Sequence, residues 1–373
     1  MSLKSKPDSF NLQCEIMAQN VLVTGAGGYI GGSIVADLLN IREGLIKTCN
    51  FHAAVRSKDQ AQSLSKFGIS VVHMDLRDKQ SAVDYIVSND ISIIIHTATC
   101  IDKEALLNLI TGLKNRRQAT NKESYFVHTT GLSAFDEITG WPFELVKDSD
   151  AMYDMEKQTE DTYIVRHVDT YVIDQCEAAG VHGFLVFPPT IHGRGTGAWN
   201  KLSPQMPAII RGSIEFQKVH KFAEERKALL THISDVTAYY ALLLEAILER
   251  KDIPSGEKGY YFIASYEVSW WDILGRIAQK LHSRGLVSTS STEVWPSDEM
   301  VAKAMDVPVK FAYSIWNPGN LKIECDNKDI LGWKPVWTKG QFLGMLDCEI
   351  DDFLELGMPK SSLLDSLKPG PGK

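Results

Sequence analysis

Three glycines spaced three apart, Gly25, Gly28 and Gly31, stand between an apolar run, Val21-Leu22-Val23-Thr24, and a segment with Ile34, Val35, Leu38 and Leu39 at helical spacing. A strand that turns sharply into a helix in this way can hold a pyrophosphate. The first glycine permits the turn, the second lets backbone N–H groups approach the phosphates, and the third lets the helix pack closely on the sheet. The helix N-terminus adds partial positive charge. Thr24 precedes the turn and Tyr29 and Ile30 lie within it, so all three join the glycines as candidate cofactor residues. The next apolar run, Phe51 to Val55, stops at Arg56-Ser57-Lys58. In a dinucleotide fold an acidic side chain here accepts from the 2′-OH of NAD, whereas an arginine accommodates the 2′-phosphate of NADP. Arg56 and Lys58 therefore point to NADP, with NAD as the alternative.

Hydroxyls gather farther along, at Thr129-Thr130-Gly131-Leu132-Ser133, directly after an apolar run from Tyr125 to His128. At the carboxyl edge of an open α/β sheet, which is where ligands of such folds bind, Thr130 and Ser133 can hold a substrate. His192 and His232 can bind or protonate a substrate near neutral pH. Trp199, Trp270 and Trp271 can line a pocket for an apolar or aromatic molecule, and core packing is the competing use of the tandem pair.

The elements that must position these residues alternate between strand and helix. Ile69 to Met74 reads as a third strand, ending at Asp75-Leu76, and Ser81 to Val87 as a helix. Ile91 to Ile95 is an unbroken apolar run of the kind buried on both faces of a parallel sheet. It opens into His96-Thr97-Ala98-Thr99, whose small residues allow close approach of a cofactor. A helix from about Lys103 to Lys114 leads to the fifth strand. Ala134 to Thr162 reads as a loop with one short helix, Val165 to Ala179 as a helix closed by Gly180, and Gly183 to Phe187 as a sixth strand. Beyond a glycine-rich exit, Pro188 to Gly197, Asp235 can cap a helix, Tyr260 to Ala264 forms another strand, and the segment from Trp270 an amphipathic helix. The fold class is α/β, a doubly wound parallel Rossmann sheet with a smaller, mostly C-terminal substrate lobe. Residues 18–188 and 229–266 are expected in the dinucleotide-binding domain, 189–228 and 267–360 in the lobe, and 1–17 and 361–373 in flexible termini.

Composition narrows the classes further. With 373 residues, 44% hydrophobic, the chain can bury a large core. Its net charge of −8 argues against sequence-independent nucleic-acid binding, which needs a basic face. The six cysteines are scattered, without a C-x-x-C pair, so neither a zinc site nor a disulfide framework is indicated. No stretch reaches the roughly 18 apolar residues of a membrane span, and a cytoplasmic location fits.

With the βα units in hand, the sequence resembles the extended short-chain dehydrogenase/reductase superfamily, which includes epimerase/dehydratase-like members. The matches are Thr24-Gly25-x-x-Gly28-x-x-Gly31, Asp75-Leu76, His96-Thr97-Ala98, Thr129-Thr130, Pro188-Pro189-Thr190-Ile191-His192-Gly193 and His232-x-x-Asp235-Val236. Within it, Pro-Pro-Thr-Ile-x-Gly-Arg-Gly-Thr-Gly and Tyr-Tyr-Phe-x-Ala-Ser look most like a fungal group of NmrA-like NAD(P)-binding proteins. The resemblance implies that Asp75 meets the adenine amine, that Thr97 and Ala98 line the ribose path, and that Pro188, Pro189 and Thr190 lie beside the nicotinamide.

It also implies a reaction: hydride transfer to a ketone, while a Tyr hydroxyl, tuned by a Lys four residues later on the same helical face, protonates the oxygen. Tyr153-Asp-Met-Glu-Lys157 has that spacing and lies about 23 residues after Thr130, but Lys157 stands farther from Thr190 than the family pattern has it. Tyr163, followed by Arg166 and His167 and no lysine, is the second candidate. The expected function is an NADP-dependent oxidoreductase acting on a carbonyl or alcohol of a small, aromatic or polyketide-like metabolite. The alternatives are a non-redox isomerase, epimerase or lyase, and an NmrA-like dinucleotide-sensing regulator without turnover. The expected partner is a small-molecule substrate; a homodimer is compatible with the sequence.

Overall fold

The apolar runs become strands because β-branched side chains pack well on a pleated surface. The computed structural model describes residues 18–360 apart from 143 and 320. Its central sheet contains β1 (Asn20–Thr24), β2 (Asn50–Val55), β3 (Ser70–His73), β4 (Ile91–His96), β5 (Tyr125–Thr129), β6 (His182–Phe187) and β7 (Tyr260–Phe262). All seven are parallel, in the order β3-β2-β1-β4-β5-β6-β7. Winding reverses between β1 and β4, and that reversal opens a crevice at their carboxyl ends.

Successive strand residues point to opposite faces, which divides the apolar side chains between two cores. Val21, Val23, Ile93 and Ile95 pack with Ile34, Val35 and Leu38 of α1 (Tyr29–Leu38) and with residues farther along the chain such as Tyr240 and Leu243. Leu22, Ile94 and Phe126 face the other way. They meet Ile86 of the helix Lys79–Ser88, Leu106 and Leu109 of α2 (Lys103–Thr120), and Val168 and Val172 of α3 (Ile164–Ala179). Gly180 (φ +66°) closes α3 in the left-handed region, which glycine adopts without a Cβ penalty.

A third core builds the lobe. The helices Gln205–Glu215, Trp270–Ser283, Asp298–Met305, Val309–Trp316 and Leu346–Leu356 surround Met206, Trp270, Ile277 and Trp316. The lobe is joined to the central sheet by a second, three-stranded sheet ordered Tyr266–Ser269, Lys227–His232, Thr190–His192. The chain then returns to the first core, where Leu331 and Trp333 pack and the Trp333 indole donates to the Asp235 carbonyl (2.9 Å).

Strand positions agree with the sequence reading to within two residues at each end. Differences arise where side chains choose distant partners. The stretch 134–162 contains a strand, Leu145–Lys147, paired with Lys322–Glu324, and the helix α4 (Met152–Lys157). Asp235 does not cap its helix, Ile233–Leu248; His232 does, and the Asp235 carboxylate instead accepts from the backbone of Val336 and Trp337 (3.0 and 3.1 Å). The termini expected to be flexible, 1–17 and 361–373, lie outside the described residues. Among the described residues no helix is long and apolar enough to cross a membrane, and no cluster of His, Cys, Asp and Glu could hold a metal ion.

Asp148 shows how the distant segments are tied. Its carboxylate, 2% exposed, accepts from the backbone N–H groups of Phe262, Asp326 and Asn327 (3.0, 2.7 and 3.1 Å). Burial raises its pKa from 3.8 to about 6 against the pull of these donors. A raised acid binds protons more tightly when folded, so its contribution is complete below the unfolded value and is lost as pH rises through about 6. That loss is about 3 kcal/mol at ~1.4 kcal/mol per unit. Thermal unfolding followed between these pH values should show the slope in the native chain and its absence in Asp148→Ala, which also unfolds at lower temperature throughout.

Candidate active site

The carboxyl ends of β1 and β4 meet the start of α1 without room for side chains. Gly25 has φ +70°, and a Cβ there would stand 2.7 Å from the Ala98 backbone nitrogen. A Cβ on Gly31 would stand 2.3 Å from Thr97 Oγ1 and 2.6 Å from the Gly25 carbonyl oxygen. Gly28 occupies the N-cap and offers no side-chain acceptor, so no capping oxygen covers the N–H groups of Tyr29, Ile30 and Gly31. An anionic ligand can take that role.

Around this turn the small polar residues are held from behind. Thr97 donates through Oγ1 and N to the Thr24 carbonyl (2.8 and 3.2 Å). His96 Nε2 meets the Thr99 carbonyl (3.0 Å), which can only accept, so Nε2 carries the proton and Nδ1 accepts from Thr24 Oγ1 (2.7 Å). Burial lowers the His96 pKa to about 4 and keeps the ring neutral at pH 7. Thr24 thus shapes the turn from within. The Tyr29 side chain is likewise occupied, since its buried hydroxyl donates to the Gly193 carbonyl (2.6 Å).

At the end of β2, Arg56 and Lys58 are exposed, and the Arg56 main chain is fixed by Gln60 Oε1 (3.1 Å) and His73 Nε2 (3.0 Å). Gln60 packs against Gly27 of the glycine turn, which brings the basic end of β2 to the turn. Asp75 is exposed after β3, with Oδ1 accepting from Arg77 N (2.9 Å), and Leu76 is half-buried. The residues present fit a dinucleotide: uncapped helix N-terminus, glycines where a Cβ would collide, and a basic end to the second strand.

The hydroxyls beyond β5 divide. Thr129 Oγ1 is buried against the Tyr240 hydroxyl (2.6 Å), and Thr130 Oγ1 donates to Asp169 Oδ2 (2.9 Å), so both are engaged inside the protein. Ser133 lies in a 3-10 turn, Leu132–Phe135, held to the end of β6 by Leu132 N donating to the Pro188 carbonyl (3.1 Å). Its Oγ lies 3.3 Å from the hydroxyl of Tyr163, the N-cap residue of α3. Arg166, wholly buried, pins the two segments together. It donates to the carbonyls of Ala134, Thr139 and Thr159 and stands 5.4 Å from the Tyr163 ring. Burial raises the Tyr163 pKa, while the Ser133 hydrogen bond and the Arg166 charge pull it down.

Tyr153 and Lys157 do come together, as the four-residue spacing leads one to expect, but on Asp174. The Tyr153 hydroxyl donates to Oδ1 (2.5 Å) and the Lys157 ammonium to Oδ2 (3.0 Å). Asp174 is 11 residues beyond Tyr163, about three turns along α3, so the pair is removed from Ser133. Burial, then Asp174, pushes the Tyr153 pKa up to about 12.

His192 is 2% exposed, hydrogen bonded to the Tyr266 hydroxyl and 3.6 Å from Glu349. His232 stacks on Trp337 (3.8 Å between centroids) while its Nδ1 caps its helix, and burial lowers its pKa to about 3. Both are structural in their contacts. Trp270 lies in the lobe core, Trp271 donates to the Phe222 carbonyl (3.1 Å), and Trp199 is 39% exposed. Thr190 Oγ1 accepts from Gln205 (3.2 Å), and Pro189 is half-buried beside it.

Beneath Thr130 lies a group that the sequence reading passed over. Asp169 and Glu156 are both buried, and burial raises both pKa values, with the Asp169 charge adding to the rise at Glu156 while Thr130 and the Arg166 guanidinium pull Asp169 down. The Tyr260 hydroxyl donates to Glu156 Oε2 (2.7 Å). The signal was available for Asp169, which falls on the apolar stripe 165, 168, 172, 173, 176 of α3. None was available for Lys103, whose ammonium meets His167 Nε2 across the α2–α3 contact.

Residues 17–109 match the model of the NmrA-like family. No curated protein matches by sequence. Among solved structures, UDP-glucose 4-epimerase from Thermotoga maritima is similar at 11% identity, TM-score 0.59, over 90% of this chain and 100% of that one. The dTDP-glucose 4,6-dehydratase of Bacillus anthracis, solved in complex with NAD, is similar at 12% identity, TM-score 0.60, over 91% and 98%. Vestitone reductase from alfalfa is similar at 17% identity, TM-score 0.53, over 91% and 99%. The chain thus shares the Rossmann fold of these three enzymes, and its residues 17–109 match the NmrA-like family model.

Proposed function

We propose that the protein is an NADP-dependent oxidoreductase that reduces a ketone or aldehyde of a small metabolite. The observation that carries this reading is the Ser133–Tyr163 hydroxyl pair, with Ser133 just beyond the carboxyl end of β5 in the sheet that carries the glycine turn at the carboxyl end of β1. A bound dinucleotide would supply the hydride. Ser133 would hold the carbonyl oxygen, and Tyr163 would give its hydroxyl proton to that oxygen as negative charge develops. The phenol carries its proton at neutral pH, and the Ser133 hydrogen bond and the Arg166 charge ease its loss against the burial that holds it. Gly25, Gly28 and Gly31 would admit the pyrophosphate to the backbone N–H groups of Tyr29 and Ile30, while Arg56, with Lys58, would take the 2′-phosphate. Consumption of reduced nicotinamide, followed by its near-ultraviolet absorbance against a panel of ketones, tests the reading. Tight NADPH binding without turnover on any of them would favour a dinucleotide sensor.

Cofactor choice has its own test. Arg56→Ala should weaken NADPH about tenfold or more, the worth of a charge-assisted hydrogen bond of about 1.5–3 kcal/mol, and leave NADH within about twofold. Equal loss of both in a fluorescence titration contradicts the assignment.

Epimerisation is the second reading, favoured by the higher TM-scores of the epimerase and dehydratase, 0.59 and 0.60, over the 0.53 of the reductase. Interconversion of nucleotide sugars with no net consumption of reduced cofactor would establish it.

A further inference from the structure

The turn that carries Ser133 is clamped to the lobe from two sides. Asp136 stands between the 3-10 turns Leu132–Phe135 and Glu137–Thr139, three residues after Ser133. Its carboxylate is fully buried and divided between a near and a distant donor: Oδ1 accepts from Ile138 N (2.9 Å) and Oδ2 from Gly319 N (2.6 Å). A buried carboxylate needs such donors in place of water. Gly319 follows the lobe helix Val309–Trp316, where the chain leaves the third core for the strand Lys322–Glu324. The crossing is close, since a Cβ on Gly319 would stand 2.5 Å from Asp136 Oδ1 and 2.8 Å from Glu137 Cγ. On the other side Arg226 donates to Glu137 Oε1 (2.9 Å), while the Arg226 carbonyl accepts from N of Trp270, a residue of the lobe core (2.9 Å). Glu137 is 66% exposed, so water screens this second contact and the Asp136 contact is the firmer one. Within the turn, Thr139 Oγ1 donates to the carbonyls of Ser133 (3.0 Å) and Asp136 (2.7 Å), which ties serine and clamp into one hydrogen-bonded unit.

We infer that Asp136 is a positioning residue: through its bond to Gly319 N, the seating of the lobe sets where Ser133 stands against Tyr163. Asp136 itself moves no proton. The inference rests on the Ser133–Tyr163 pair proposed above, and adds to it a determinant of rate that lies outside the pair, at the point where the lobe chain crosses the turn.

A catalytic group displaced by about 1 Å can cost about 100-fold in rate. Asp136→Ala should therefore lower kcat for carbonyl reduction about 100-fold, while KM and the NADPH dissociation constant stay within about threefold, because the glycine turn is untouched. Asp136→Asn keeps an oxygen that accepts from Gly319 N and should recover most of the lost rate. Gly319→Ala strikes the same contact from the lobe side, with Asp136 intact and the backbone outside the left-handed region, and should also lower kcat. Since both changes break one contact, the double variant should be little slower than the slower single variant. Hydrogen–deuterium exchange at the amides of residues 132–139 should quicken in both single variants, which reads the clamp without turnover. A native kcat in Asp136→Ala, or in Gly319→Ala should the first variant fail to fold, overturns the inference and leaves the Ser133–Tyr163 pair standing. Fully additive losses in the double variant, or unchanged exchange, overturn it as well. A native protein that reduces no carbonyl overturns the proposed function and the inference with it.

Discussion

Tyr163→Phe should lower kcat for carbonyl reduction about a thousandfold, the middle of the range for loss of a positioned general acid, with a much smaller change in KM. The phenyl ring keeps the packing against Arg166 and removes only the hydroxyl 3.3 Å from Ser133 Oγ. Tyr153→Phe should stay within about threefold of the native rate, because its hydroxyl is committed to Asp174 three turns away. Steady-state rates for the two variants on one substrate decide the matter. A large loss in Tyr153→Phe with a normal Tyr163→Phe would move the proton donor to α4.

The glycine turn carries the second large effect. Gly25→Ala places a methyl group 2.7 Å from the Ala98 backbone nitrogen at a residue with φ +70°, and neither strand end can retreat, since Thr97 bridges them through the Thr24 carbonyl. Left-handed strain of about 1–2 kcal/mol and overpacking of about 1–3 kcal/mol combine to roughly 3 kcal/mol of lost stability. Dinucleotide binding should fall by a factor of about 100 or more, because the displaced turn no longer presents its N–H groups together. Thermal unfolding and NADPH titration measure the two losses. By contrast, Gly68→Ala adds a methyl group where nothing lies within 4 Å, at φ +71°, and should show a backbone cost without the loss of binding.

These expectations mark how far the sequence carries. Strand positions were legible because the strands are short, largely apolar runs bounded by polar or glycine-rich segments; Ile91 to Ile95, with only Ser92 between its isoleucines, has the pattern of an interior strand buried on both faces. The glycine turn was legible for a similar reason, as its steric demand is local. The site was only half legible. Tyr153-x-x-x-Lys157 satisfies a spacing, but spacing does not say which face of α4 meets which neighbour, and Asp174 settles that from 17 residues beyond Lys157. Thr130 reads as an available hydroxyl until Asp169, 39 residues later, claims it. Asp235 has a cap residue's identity and spends it on Val336 and Trp337, about a hundred residues away. In each case an ordinary local preference yields to a partner that only the tertiary fold supplies.

The strap that leaves the strand Thr190–His192 has a mechanical meaning. A Cβ on Gly197 would stand 2.9 Å from the carbonyl carbon of Gly32, one on Gly195 2.6 Å from Ser33 Oγ, and the Tyr29 hydroxyl grips the carbonyl of Gly193. The strap therefore lies flush along the first two turns of α1, the helix whose N-terminus carries no side-chain cap. Its far side is moored to the last helix of the lobe, where Glu349 accepts from Gly193 N (2.7 Å) and Arg194 pairs with Asp352 and Glu355 (2.8 and 2.6 Å). The first turns of α1 and the last helix of the lobe are thereby held by one short strap, so a displacement of either is passed directly to the other.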